Sequence, residues 1–473
     1  MDTTLILTII ALAAGFYMAW SVGANDVANA MGTSVGSGAL TVKRAVILAA
    51  VLEFAGAFFV GSHVSQTIRK GIISPGIFVG HELDLVFGMI GALLAAAIWL
   101  QVASYYGWPV STTHSIVGAV LGFGIVFAGV NAIHWAEVGS IVASWVVSPL
   151  LSGTIAFVLF SLIRRLIYYN PDPVAVTKRL APYLVFLVFM VLSLAMVFKG
   201  LKNLHLDLNF SNALGVSVIV GLIAALISYF LIRRIKEAEP AESEAMVVSP
   251  SVARRIEKAL QHLEKASSKL SGESSRRLEM LSHDLEEVAV EIKSDVMVER
   301  NDDTSKTVEK IFVYLQILSA GFVAFAHGAN DVANAVGPLA AVITILQDGV
   351  IAMNTPVPVW VLALGGIGIV MGLATWGWRV MLTIGKKITE LTPTRGFAAE
   401  FATAITLVIA TKLGLPVSTT HTLVGGVLGV GFARGIKSLN LKVITNIIIS
   451  WLITIPVGAA GAIMFYYILR TIF

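Results

Sequence analysis

Residues 23–30 read Gly-Ala-Asn-Asp-Val-Ala-Asn-Ala, and residues 328–335 read the same eight letters. Both stretches lie within apolar sequence. A second phrase is duplicated in the same order: Pro-Val-Ser-Thr-Thr-His stands at 109–114 and again at 416–421. The two spacings are 305 and 307 residues. Fainter matches keep nearly that offset, among them Val117-Gly118 with Val424-Gly425 and Ser144-Trp145 with Ser450-Trp451. Identical polar phrases at nearly one offset mark an internal duplication. The expected organisation is a first membrane repeat over 1–165, two additional membrane helices in 166–234, a soluble helical insert over 235–310 and a second repeat over 311–473.

Composition sets the class. Of 473 residues 56% are hydrophobic and only 13% charged, and mean hydropathy is +0.84. A soluble chain could not keep that much apolar surface out of water. Apolar runs fall at about 3–22, 45–66, 83–106, 112–130, 138–163, 180–198 and 212–232. They resume after the insert at 311–326, 335–346, 357–385, 398–414, 419–433 and 443–470. A span needs roughly 20 apolar residues, so the sequence predicts an all-α polytopic membrane protein in a lipid bilayer. The N-terminal run has no basic flank or cleavage pattern and reads as the first span. With no cysteine, disulfides and thiolate chemistry are excluded.

Net charge is +4, but residues 235–310 hold 12 Lys/Arg against 17 Asp/Glu. The chain is therefore an acidic insert on a basic membrane body. Its basic residues sit at the ends of apolar runs, where the bilayer places them, so no nucleic-acid partner is expected. Within the insert, Ile256, Leu260 and Leu263 mark one amphipathic helix. After Gly272, residues Leu278, Leu281, Leu285, Val288 and Ile292 mark a second, completing a hairpin.

Seven runs precede the insert. If the 83–130 pair turns back as a re-entrant hairpin, five crossings remain. The number is odd either way, so the second repeat enters from the opposite side. That is an inverted-topology repeat with broken helices and two re-entrant hairpin pairs, a common build of secondary transporters. A cytoplasmic insert puts Lys43, Arg44, Arg164, Arg165, Arg233 and Arg234, with most other flanking cations, inside. Arg69, Lys70, Lys199, Lys202 and Arg470 then lie outside, and Lys412 is unassigned. This bias places both termini outside a plasma or inner membrane.

Asn and Asp inside an apolar helix are costly and mark functional positions. The small neighbours in GANDVANA permit unwinding, so both copies are expected to break their helices. Freed carbonyls with Asn25, Asp26, Asn330 and Asp331 make a set of hard oxygen ligands suited to Na⁺. The competing reading is a helix–helix contact glued by Asn and Asp; the duplication argues against it. In the second phrase Pro109 and Pro416 interrupt helices, and Ser-Thr-Thr can cap new ones. First-turn N–H groups lack intrahelical partners and sit at a positive dipole end. With Ser111, Thr112, Thr113, Ser418, Thr419 and Thr420 they form candidate anion sites. Inverted copies bring two such termini together, which fits a tetrahedral oxyanion. His114 and His421 lie one turn further on and are expected to orient the hairpins through hydrogen bonds, a proton-coupling role being the alternative. Glu53, Gln101 and Glu400 are further polar residues in apolar runs, with pathway or coupling roles weighed against structural pairing. Lys412 breaks the repeat symmetry.

The paired GANDVANA and PVSTTH phrases flanking a hydrophilic insert closely resemble the inorganic phosphate transporter (PiT) family. The resemblance covers both membrane halves, and neither phrase is broken. It implies inward movement of phosphate coupled to Na⁺ or H⁺, with divalent metal–phosphate complexes as cargo in some bacterial members. The family's important membrane glutamates look like Glu53 and Glu400.

The resulting expectation is a secondary active transporter importing inorganic phosphate in symport with Na⁺, without a further cofactor. H⁺-coupled phosphate or metal–phosphate symport and an anion channel are the alternatives. A hydrolase built on Ser111 and His114 would need an orienting Asp, and duplication gives no reason for a second nucleophile. No enzyme is expected. Oligomeric state is left open, with a homo-oligomer compatible.

Overall fold

A computed structural model describes residues 3–61, 73, 75–200, 208–235, 250–267, 278, 280–287, 303–349, 351, 357–412 and 417–473. The chain folds into helices. The first part contains α1 (Thr3–Asn25), α2 (Ala28–Gly36), α3 (Val42–Val60), α4 (Glu82–Tyr106), α5 (Thr112–Ala128) and α6 (Trp135–Ile163). Then come α7 (Pro173–Gly200), α8 (Phe210–Arg233) and α9 (Pro250–Ser267). The last part holds α10 (Asp303–Asp348), α11 (Val359–Lys387, with two π turns), α12 (Pro393–Lys412), α13 (Thr419–Arg434) and α14 (Leu441–Ile472). Among the described residues, an isolated bridge between Ile73 and Ile133 is the only extended pairing.

Eight helical stretches among the described residues are long and apolar enough to cross a membrane. α5 is shorter, at 17 residues. At 1.5 Å per residue it reaches only about 25 Å, short of the roughly 30 Å hydrocarbon core. It is the second arm of a hairpin begun by α4, and α12 with α13 is built likewise.

Contacts divide the chain into two compact units. One comprises Met1–Phe160, Val185–Ala224 and Val313–Phe473, and holds every candidate site residue. The other comprises Ser161–Leu184 and Ala225–Phe312. In it, Tyr168 donates to Glu309 at 2.7 Å.

In the first unit, repeat-equivalent helices pack across the two halves. α5 lies so close to α14 that a side chain on Gly118 or Gly122 would strike the backbone of Ile455 or Ala459. α13 lies on α6 in the same way, with Gly425 against Pro149 and Gly429 against Gly153. The two sets of positions correspond through the 306–307 offset of the duplication. A second exchange puts Gly372 and Ile369 of α11 on Trp20 and Gly23 of α1, and Gly56 and Glu53 of α3 on Phe325 and Gly328 of α10. Glycine is what permits these approaches, because it alone presents no Cβ.

The two GANDVANA copies differ in backbone. α1 ends at Asn25, a turn covers residues 26 and 27, and α2 starts at Ala28. Hydrogen bonds tighten there to three-residue spacing, Asn29 N to Asp26 O at 2.8 Å and Ala30 N to Val27 O at 3.0 Å. The expected break at Gly328–Asp331 is absent. α10 runs unbroken through 46 residues, joining the runs at 311–326 and 335–346. His327 supplies a physical reason: its ring meets Asp331 one turn on, at 2.6 Å, and ties the turn together. The equivalent residue in the first copy is Val22, which offers no such tie.

In the insert α9 is present as expected, and Leu278, Leu281 and Leu285 are helical. Gly272, Val288 and Ile292 lie outside the described residues, as do Pro416, Arg69, Lys70 and Lys202 and the side chains of Lys199 and Lys412.

Candidate functional site

Ser111 and Ser418 start the two short helices. Each has extended backbone and acts as N-cap, its hydroxyl accepting from the backbone N–H of His114 or His421 at 3.2 Å. The serine hydroxyls therefore serve their own helix ends, as the capping reading anticipates. Thr112, Thr419 and Thr420, on the first turns that follow, are buried and face the GANDVANA segments.

Asp26 is where the two hairpins meet. Thr112 Oγ1 donates to Asp26 Oδ2 in a short hydrogen bond. Thr420 Oγ1, from the other hairpin, donates to Oδ1 at 2.7 Å, as does Asn29 Nδ2 at 2.8 Å. Asp331, the repeat mate of Asp26, accepts from Thr419 Oγ1 at 3.3 Å and from Asn330 Nδ2 at 3.0 Å. Cross-half bonds complete the arrangement. Asn29 donates to Thr420 at 2.9 Å, and its mate Asn334 donates to Thr112 at 3.0 Å and Thr113 at 3.3 Å.

Asn25 has a different office. Its amide donates to Ser104 Oγ at 3.1 Å and Trp108 O at 3.0 Å, and its oxygen accepts from Val110 N at 3.1 Å. It fastens the first motif to the turn of the first hairpin.

The remaining candidates separate into three places. Glu400 is buried among neutral donors: Thr33, Ser34 at 3.0 Å, Gln316 at 3.2 Å, and Ser319 in a short bond. Gln101 accepts from Tyr17 in a short bond. His114 and His421 face each other with ring centroids 4.6 Å apart, and each packs on a tryptophan, Trp145 at 4.2 Å and Trp451 at 3.6 Å. Both ring nitrogens of His421 are buried without a hydrogen-bond partner among the described residues, so ring packing stands where ring hydrogen bonds are expected.

Several polar residues at the centre escape a reading confined to the duplicated Asn-Asp pairs. Asn29 and Asn334 stand three residues after the aspartates, on the same helix face, so their place was legible in principle. His327 was not, because the first repeat has no counterpart. Its Nδ1 lies 3.1 Å from Glu53 Oε2, and its Nε2 lies 2.6 Å from Asp331 Oδ2 and 4.0 Å from Asp26 Oδ2. All four side chains are buried. Glu53 thus reaches the aspartates through His327. Gln316 and Ser319 likewise become visible only beside Glu400.

Long apolar helices around a sealed polar centre, with two capped helix N-termini and two carboxylates, define a membrane protein that handles ions at its core. Comparison with known sequences gives the family. The phosphate transporter family (PHO4) matches residues 22–462, and the chain belongs to that family. Over 471 residues it is 45% identical to the inorganic phosphate transporter 2-1, chloroplastic, of Arabidopsis thaliana, covering 99% of this chain and 73% of that one. A putative phosphate permease of Chlamydia trachomatis is 42% identical, covering 99% of each. Among solved structures, one described as the sodium-dependent phosphate transporter is similar with a TM-score of 0.77 and 38% identity, covering 99% of this chain and 100% of that chain. The protein is a multi-pass membrane transporter of phosphate, not an enzyme.

Proposed function

We propose that the protein imports inorganic phosphate in symport with Na⁺, the two ions meeting at the hairpin tips. The observation that carries this reading is the convergence of Thr112 and Thr420, from different hairpins, on Asp26. Phosphate takes the backbone N–H groups of the α5 and α13 N-termini together with Thr112, Thr113, Thr419 and Thr420; Ser111 and Ser418 fix those termini and have hydroxyl protons left to donate. Asp26 and Asp331, with Asn25 and Asn330 beside them, hold Na⁺. The threonines that donate to aspartate turn to phosphate once a cation claims the carboxylate. Glu53 acts on this centre through His327. Glu400, with the oxygens of Thr33, Ser34, Gln316 and Ser319 around it, is a second point of cation coupling. Gln101, His114 and His421 shape the pathway and hairpins. No cofactor beyond the coupling ion is required.

The sodium-dependent description of the similar solved transporter supports Na⁺ over H⁺. The odd number of crossings before the insert supports inverted repeats, a cytoplasmic insert and external termini in a plasma or inner membrane. Phosphate uptake into proteoliposomes, with Na⁺ and pH gradients imposed separately, tests the coupling. Uptake driven by inward Na⁺ alone is expected. Uptake driven by pH alone selects proton coupling, and uncoupled conductance selects a channel.

A further inference from the structure

The two hairpins are alike in sequence but unlike in how they are held. Hairpin 1, made of α4 and α5, is bonded to α14 along its length. Asp84, early in α4, accepts from Tyr466 at 2.7 Å and pairs with Arg470 at 3.4 Å. Further along, Trp99 Nε1 donates to Thr454 Oγ1 at 3.0 Å. At the turn, Trp451 Nε1 donates to Pro109 O at 2.9 Å.

Hairpin 2, made of α12 and α13, lies on α6, the repeat mate of α14. Among the described residues the equivalent bonds are missing there. Trp145, mate of Trp451, has a buried indole N–H without a partner, and Ser148, mate of Thr454, has a buried hydroxyl without one. Thr406, mate of Trp99, turns its hydroxyl back to Ala402 O at 2.9 Å. Ser152 Oγ and Thr403 Oγ1 meet at no less than 3.5 Å. Hairpin 2 is closed on itself instead. Glu390, just before α12, pairs with Arg395 of α12 at 3.6 Å and with Arg434 of α13 at 3.0 Å. The seam is also smoother, since Gly429 faces Gly153 where the equivalent Gly122 faces Ala459.

Buried polar groups left without partners are costly, and here their repeat mates show the partners such groups take. We propose that Trp145 and Ser148 are the seat of a second position of hairpin 2, which shifts along α6 while hairpin 1 stays on α14. Packed interfaces switch between discrete positions rather than deforming smoothly. In the position seen here, Thr419 and Thr420 reach Asp331 and Asp26. The shift draws these threonines off the aspartates and leaves Thr112 on Asp26. The shared site therefore comes apart on the side of hairpin 2. Arg395 and Arg434, at the base of that hairpin, mark this side as cytoplasmic in the proposed topology. Trp145 and Ser148 are thus positioning residues for release. The inference rests on the reading above that both hairpin tips hold the transported phosphate.

The chain has no cysteine, so labels can be placed singly or in pairs. Spin labels on Val142→Cys and Phe432→Cys, both exposed positions, report hairpin 2 against α6. Labels on the repeat mates, Ile448→Cys and Ile125→Cys, report hairpin 1 against α14. Distances are measured on the full chain in lipid nanodiscs, without ligands and with Na⁺ and phosphate. The first pair should show two distances whose proportions change with ligand, and the second pair one distance. Ser148→Ala removes a hydroxyl that is bonded only in the second position, so it should shrink that population about two- to tenfold. Ser152→Cys with Thr403→Cys, when oxidised, pins α12 to α6; phosphate should still bind, uptake should stop, and reduction should restore it. One unchanging distance for the hairpin 2 pair, equal movement of the hairpin 1 pair, an unaltered distribution in Ser148→Ala, or undiminished uptake by the oxidised chain overturns the inference. A moving hairpin 2 in a chain whose phosphate affinity is indifferent to Na⁺ upholds it and sinks the Na⁺ reading instead.

Discussion

Asp26 accepts from Thr112, Thr420 and Asn29, whereas Asp331 accepts from Thr419 and Asn330 and lies against His327. The two aspartates are repeat mates with unequal surroundings. Asp26→Asn and Asp331→Asn keep size and remove charge. Both should weaken Na⁺ activation of phosphate uptake, and Asp26→Asn more, because it serves both hairpins. Equal and undiminished Na⁺ activation in the two variants would remove these carboxylates from the cation site. Thr112 and Thr419 offer a second test. A hydrogen bond to a charged group is worth roughly 1.5–3 kcal/mol, so either Thr→Val should cost about ten- to a hundredfold in phosphate affinity by isothermal titration. The double variant should lose nearly all binding while still folding. The aspartates and threonines were legible because an ionisable or hydroxyl residue in an apolar run must have a purpose. His327 is equally polar, but its repeat mate is Val22, and duplication marks only residues present twice.

At the scale of elements, capping and spacing set the short helices. Both predicted starts, at Thr112 and Thr419, are observed, because Ser111 and Ser418 provide the cap whatever the tertiary surroundings. The break expected at Gly328–Asp331 is absent for the opposite reason. Small residues permit unwinding but do not compel it, and the outcome depends on which partner takes the aspartate. In α10 Asp331 has Thr419 of α13 but also His327 one turn back on the same helix, and the helix continues; in α1 Asp26 has no partner on its own helix, only Thr112, Thr420 and Asn29 beyond it, and the helix breaks. The close crossings make a further prediction. Gly425→Val places a branched side chain into the backbone of Pro149, and Gly118→Val does so at Ile455. Both should lower the yield of monodisperse protein in size-exclusion chromatography. Gly139→Ala, where a Cβ meets nothing within 4 Å, should not. A normal profile for Gly425→Val would contradict the packing of α13 on α6.

For the whole molecule, the polytopic class follows from composition, since 56% hydrophobic residues admit no soluble core of this length. The exchange of packing between halves was not legible, because repeat identity says which segments are alike and not which ones touch. Topology is open to direct test, as the chain has no cysteine of its own. A cysteine at Asn131 should be labelled only from outside, and one at Ser243, in the insert, only from the cytoplasm. Labelling of both from one side would break the inverted arrangement. The central claim is that Na⁺ is held by Asp26 and Asp331 and phosphate by the threonines that donate to them, so each ion strengthens the binding of the other by the same factor. Calorimetric titration of phosphate into the purified chain, with and without saturating Na⁺, and of Na⁺ with and without phosphate, measures both sides of that linkage. The account predicts a large and equal gain in the two directions, sharply reduced in Asp26→Asn. Phosphate affinity indifferent to Na⁺ in the unaltered protein would contradict it.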